Sequence, residues 1–191
     1  MFKGAVMIVQ FQRGFLQTLN SRYSYNGYTQ ILNGTRFYTA TILIQSTPFI
    51  VCIPLHSNCR VNFISIEPPN SDSRWKNHGL EYGKLLLLKA EDLLNYASVS
   101  AVQNSVWQDI ILKKDVITSS VKQYFKDIIK CLEKRENQLL LSKEEENKLN
   151  YSTLNCFPTY MSELRKYNID ELDFNFELCT DINDLVNNVG K

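Results

Sequence analysis

Residues 49 to 60, FIVCIPLHSNCR, change character halfway, and that change decides what kind of sheet the chain builds. Phe49 to Ile53 form a short aromatic and β-branched run of strand length, the pattern of a buried strand. Pro54 carries no N–H, which predicts that regular pairing stops there or that the strand lies at an edge. His56, Ser57 and Arg60 then follow in quick succession. They offer a proton acceptor, a hydroxyl and a fixed positive charge at one strand end. The plain alternative is a surface turn in which Ser57 and Asn58 bond their own backbone.

Upstream, Arg36 opens RFYTATILIQ, a second strand, and Ser46, Thr47 and Pro48 separate it from the first. Residues 37 to 55 therefore read as an antiparallel hairpin whose two ends lie on the same side. Such a hairpin brings Arg36 towards His56 and Ser57, although an arginine before a strand is otherwise an ordinary solvated edge residue. Nearer the N-terminus, residues 5 to 11 (AVMIVQF) read as a strand and 14 to 20 as a short helix or turn. SRYSYNGY (21 to 28) reads as a loop turning at Asn26 and Gly27. Its Arg22, Tyr25 and Tyr28 suit stacking on unpaired bases, or packing over a barrel mouth with no ligand at all.

Downstream, VNFISI (61 to 66) alternates as a strand, and PPNSDSRWKN (68 to 77) is a long loop. Arg74, Trp75, Lys76 and His78 provide cations for phosphate and an indole for stacking, though a tryptophan tucked beneath a loop gives the same pattern. GLEYGKLLLL (79 to 88) resumes as one buried strand with Lys84 at its border. That lysine either snorkels from a core edge or faces a site.

From Glu91 the period becomes helical, with Ala90 to Tyr96 a short connecting helix. Val121, Tyr124, Phe125, Ile128, Ile129 and Leu132 recur at intervals of three and four, an amphipathic helix starting near Thr118 to Ser120. SKEEENK (142 to 148) is a charged connector or helix start without the spacing of a calcium loop. Residues 151 to 164 and 181 to 189 read as short helices or turns, with partly extended chain between them. No internal repeat is present.

At 191 residues and 44% apolar, the chain is long enough for a single domain with its own core. It contains no apolar run of membrane-spanning length and no secretory signal pattern, so a mature cytoplasmic protein is expected. The cysteines (52, 59, 131, 156 and 179) are odd in number and lack a Cys-x-x-Cys pair. Neither a disulfide framework nor a zinc site is expected from them. Net charge is +1, yet residues 1 to 89 carry 9 Lys/Arg against 3 Asp/Glu, while residues 90 to 191 carry 12 against 17. The first half is basic, the sign that gathers phosphates, unless the charges are scattered over unrelated faces.

The hairpin ending in IPLHSNCR, the loop before GLEYGKLLLL, and NYSTLNCF (150 to 157) together resemble the toxins of type III toxin–antitoxin systems, the ToxN/AbiQ family, and its TenpN-like branch in particular. The similarity runs over most of the chain and is strongest from about Thr35 to Leu88 and near Tyr151. It implies an α+β protein with a compact antiparallel SH3-like β-barrel, a Kid/MazF-like core over about residues 1 to 89, and helical additions over about 90 to 191. It further implies a metal-independent endoribonuclease without cofactor, held inactive by a pseudoknot antitoxin RNA that it processes from repeats. The partners so implied are that RNA, in a toxin–RNA hetero-oligomer, and cellular or phage mRNA as substrate, in phage defence by abortive infection; neither membrane nor DNA is one.

By position, the family's catalytic serine falls on Ser57, its strand-opening basic residue on Arg36, and its later lysine on Lys84. His56 stands where ToxN has a threonine. The lysine that follows the serine has no counterpart at Asn58 or Cys59, and Arg60 comes one step later. Metal-free RNA cleavage uses the ribose 2′-hydroxyl against its own phosphate, which DNA cannot do. In that chemistry Arg36, Arg60 and Lys84 would stabilise the phosphorane, Ser57 would bond an oxygen, and His56 would serve as acid or base. The rivals are a noncatalytic RNA-binding domain, a structural or interaction protein, and a cysteine hydrolase using Cys59 with His78.

Overall fold

The computed structural model describes residues 7–23, 37–67, 77–101, 104–177 and 181–190. Arg36, Tyr25, Tyr28, Arg74, Trp75 and Lys76 lie outside the described residues. The chain begins with β1 (Met7–Phe11) and α1 (Arg13–Tyr23). Helix α1 takes in Arg22, so the first three residues of SRYSYNGY are helical rather than loop. Strands β2 (Phe37–Ile44) and β3 (Phe49–His56) follow as the expected antiparallel hairpin. Its turn is built by Thr47, which is 2% exposed; its hydroxyl donates to the Ile44 carbonyl at 2.7 Å and accepts from the Phe49 N–H at 3.2 Å.

Every residue from Phe49 to Pro54 is buried, so β3 is covered on both faces and reads as a continuous apolar run for that reason. Pro54 does not end the strand, contrary to the sequence expectation. It lies opposite Tyr38, next to a register shift between Tyr38 and Ala40, and pairing resumes through His56. A bulge is where a ladder tolerates a residue without a donor.

Three further strands, β4 (Phe63–Ser65), β5 (Gly79–Glu81) and β6 (Leu86–Lys89), lie beyond β3. The first half of β3 pairs with β6, Phe49 opposite Lys89 and Cys52 opposite Leu86. Its last two residues pair with β5, Leu55 opposite Leu80 and His56 opposite Gly79. GLEYGKLLLL is thus two strands separated by a 3₁₀ turn at Tyr82–Lys84, not one. The turn lets the chain step along the β3 edge.

Helix α2 (Ala90–Tyr96), strand β7 (Ala97–Ala101), helices α3 (Asn104–Leu112) and α4 (Lys114–Glu136), and helix α5 (Lys143–Tyr151) come next. They are followed by a 3₁₀ turn at Thr153–Cys156, α6 (Pro158–Leu164), β8 (Phe174–Glu177) and α7 (Ile182–Asn187). The sheet is antiparallel and curled, with strand order β4-β5-β3-β2-β1-β7, β6 also on β3 and β8 also on β2. Among the described residues no ladder joins β4 to β7, so these pairings draw a half-barrel rather than a closed one.

Helix α4 begins before the expected Thr118 and buries Ile117, Val121, Tyr124, Phe125, Ile128, Ile129 and Cys131. This stripe packs on the sheet, with the Phe125 ring 5.7 Å from that of Phe174 on β8. Burying a side chain the size of Phe125 contributes about 1.5–3 kcal/mol. One core runs through strands and helices alike, from Val9 to Leu185. Among the described residues, no helix is long and apolar enough to cross a membrane.

Candidate functional site

The end of β3 is where this topology concentrates polar chemistry. Antiparallel pairing sets His56 opposite Gly79, and two residues on along β5 comes Glu81. His56 Nδ1 lies 3.2 Å from Glu81 Oε2, a close contact without the alignment of a hydrogen bond. Glu81 is 8% exposed, a burial that a carboxylate tolerates only beside compensating groups. The His56 side chain is 27% exposed while its Nδ1 is buried, so the open part of the ring lies on its other atoms.

After His56 the chain bends through Ser57, which is half-buried, to the buried Cys59 and the exposed Arg60. This loop is tied down at both ends of its course. The Cys59 N–H donates to the Asn77 carbonyl at 3.0 Å, and the Gly83 N–H donates to the Asn62 carbonyl at 3.2 Å. Asn62 adopts φ 55°, the left-handed region in which asparagine is among the best-tolerated residues. The loop carrying Ser57 and Arg60 is therefore clamped across β5 and onto the turn that carries Lys84.

Lys84 occupies the 3₁₀ turn, not a strand. Its Nζ donates to the Tyr151 carbonyl at 2.9 Å, at the C-terminal end of α5, where a positive charge is favoured. The second 3₁₀ turn is locked to the first: the Thr153 hydroxyl bonds the Leu85 carbonyl, with the Gly83 carbonyl 3.5 Å away. Burial pushes the Cys156 thiol up to about 11, with the Lys84 charge pulling the other way. Residues 150 to 157 and the GLEYGKLLLL stretch, far apart in sequence, thus meet around Lys84.

Of the residues singled out from sequence, the structure sets His56 at the end of β3, Ser57 and Arg60 on the loop that follows it, and Lys84 on the turn which that loop touches. His78 does not join them as a surface contact. It is 4% exposed and its Nδ1 sits 2.9 Å from the Ile66 carbonyl, bridging the backbone beside β4 and β5. The ligand atoms gathered with the Cys59 thiol are those of His56 and Glu81. Arg22 falls within α1.

Two features were not singled out in the sequence. One is Glu81. The other is a cleft of about 420 Å³ beside the Tyr82–Lys84 turn, walled by Asn62, Tyr82, Gln123 and the Asp127–Lys148 ion pair at 2.7 Å. Compared with protein-family models, with curated proteins and with solved structures, the chain matches none of them.

Proposed function

We propose that this chain is a metal-independent endoribonuclease acting on single-stranded RNA, the toxin of a type III toxin–antitoxin pair. The observation that carries the proposal is the β3 terminus, where the His56 imidazole is held 3.2 Å from a buried carboxylate and is followed in the chain by Ser57 and the clamped loop of Arg60. Glu81 facing Nδ1 favours the tautomer with its proton on that atom and leaves Nε2 as the basic nitrogen. His56 takes the 2′-hydroxyl proton or supplies one to the departing 5′-oxygen. The 2′-oxygen bonds to phosphorus as the P–O5′ bond breaks, giving a 2′,3′-cyclic phosphate and a free 5′-hydroxyl. Ser57 donates to a phosphate oxygen. Arg60 and Lys84, with Arg36, offset the negative charge that grows on the phosphorane.

The resemblance to ToxN/AbiQ toxins supplies the biological setting: inhibition by a pseudoknot antitoxin RNA, release during phage infection, and an SH3-like barrel as the finer description of the curled sheet. The cleft beside Tyr82 suits an unpaired base, with an aromatic wall and the amides of Asn62 and Gln123 to meet its edge.

The test is incubation of the purified chain with labelled single-stranded RNA in EDTA, followed by end-group determination. Cyclic phosphate ends are expected, with His56→Ala lowering the rate by about 10² to 10⁴ and Ser57→Ala also lowering it. RNA that is bound but left intact assigns the surface to recognition without cleavage.

A further inference from the structure

The β3 terminus also assembles a set of metal-ligand atoms, adding the buried Cys59 thiol to the His56–Glu81 pair of the proposed cleavage chemistry. A ring nitrogen of His56, the Sγ of Cys59 and a carboxylate oxygen of Glu81 all lie within 4.8 Å of one another. We propose that these three side chains form a site for one thiophilic divalent cation, Zn²⁺ in the first instance, with solvent as the fourth ligand.

The geometry favours zinc. Bonds of about 2.0–2.3 Å at tetrahedral angles put neighbouring ligand atoms about 3.3–3.5 Å apart. His56 Nδ1 and Glu81 Oε2 are already 3.2 Å apart, and the Cys59 sulfur completes a set no wider than 4.8 Å. His56 and Cys59 are three residues apart on one bend, an interval typical of zinc loops. Glu81 arrives from the paired strand, which is rigid because Gly79 and Leu80 are registered to His56 and Leu55.

The donor chemistry selects among ions. An imidazole and a thiolate exclude Mg²⁺ and Ca²⁺, which prefer oxygen, and favour the later first-row metals. Charge balances as well: a dication offsets one carboxylate and one thiolate, leaving the buried group neutral. Cys59 is 1% exposed, and its Sγ lies 3.5 Å from both the His56 and Gly79 carbonyls, which share its S–H. On binding, that proton leaves to solvent and the sulfur's lone pair goes to the metal.

Binding is read spectroscopically and so does not depend on whether the chain cleaves RNA. Full-length protein, freed of metal, is titrated with Co²⁺ under anaerobic conditions. One equivalent is expected to give the visible bands of tetrahedral cobalt and a near-ultraviolet thiolate charge-transfer band, and added Zn²⁺ to bleach both. Cys59→Ser removes the charge-transfer band, Glu81→Gln raises the dissociation constant at least about tenfold, and Cys131→Ser changes neither. Should Cys59→Ser fail to fold, His56→Ala, at a half-exposed position, is expected to lose the tetrahedral bands while keeping the native circular dichroism. A spectrum of hydrated cobalt alone, or a charge-transfer band that survives Cys59→Ser, overturns the site.

Discussion

At the scale of single residues, a carboxylate that is 8% exposed lies 3.2 Å from the His56 Nδ1 and faces that edge of the ring. Glu81→Gln keeps the shape and removes the charge. In the cleavage chemistry Glu81 touches only His56, so it is a positioning residue. The substitution is expected to slow RNA cleavage about 10- to 100-fold with KM for RNA unchanged, because orientation of the base is lost while phosphate contacts stay. An unchanged turnover rate excludes the positioning role. Glu81 was not legible in the sequence: it is one acid inside GLEYGKLLLL, and nothing in periodicity or spacing links it to a histidine twenty-five positions earlier. Only the pairing of His56 with Gly79 does so. His56, Ser57 and Arg60 were legible because an apolar run that ends in small polar and ionisable groups marks a strand terminus by composition alone.

At the scale of elements, the site depends on close backbone approach between β4 and β5. A Cβ added at Gly79 would run into the Ile64 carbonyl group, its carbon 2.9 Å away, and meet the Phe63 ring at 3.0 Å. Backbone cannot give way as a flexible side chain does, so Gly79→Ala is expected to destabilise the fold by about 1–3 kcal/mol in denaturant unfolding. The same substitution shifts the strand that carries Glu81. A second element-scale prediction concerns α5, whose Ser142 and Glu145 form a reciprocal cap. A hydrogen bond from Lys134 on α4 at 2.6 Å, aided by the Ser142 N–H, holds the Glu145 carboxyl down at about 2. A carboxyl depressed on folding contributes stability above its unfolded value of 4.5, and that contribution is lost as pH falls through about 2. Glu145→Gln should therefore flatten the fall in Tm between those two pH values and leave the steeper parts of the profile in place. Helix α4 was visible as an amphipathic stretch, α2 as a short connecting helix, and the beginning of α5 only as a charged connector or helix start. Strand β7 and the break within residues 79 to 88 were not, because ASVSA is weakly patterned and four leucines in a row carry no period.

At the scale of the whole molecule, the uneven charge bears on where the RNA of the proposed function would lie. The first 89 positions carry a net positive charge, 9 Lys/Arg against 3 Asp/Glu, and the remainder a net negative one, 12 against 17, and a contiguous core joins the two halves. A polyanion drawn to the β3 terminus meets Arg60, which is exposed, and Lys84, held at the end of α5. Each phosphate neutralised on single-stranded RNA releases counterion, so log affinity falls with log salt by about 0.7 per contact. Using 2′-O-methyl RNA to prevent cleavage, affinity measured across a salt series should give a straight line. Arg60→Ala should make its slope shallower by about 0.7. Lys143→Ala, on an exposed lysine that opens α5 in the acidic half, should leave the slope unchanged. Equal effects from the two variants would mean that the charge is spread without a common path, and RNA would then have no defined seat on the sheet. Distinct slopes instead locate the strand of RNA at the loop that follows β3, the one place where a half-exposed imidazole, a hydroxyl and a guanidinium share a few consecutive residues.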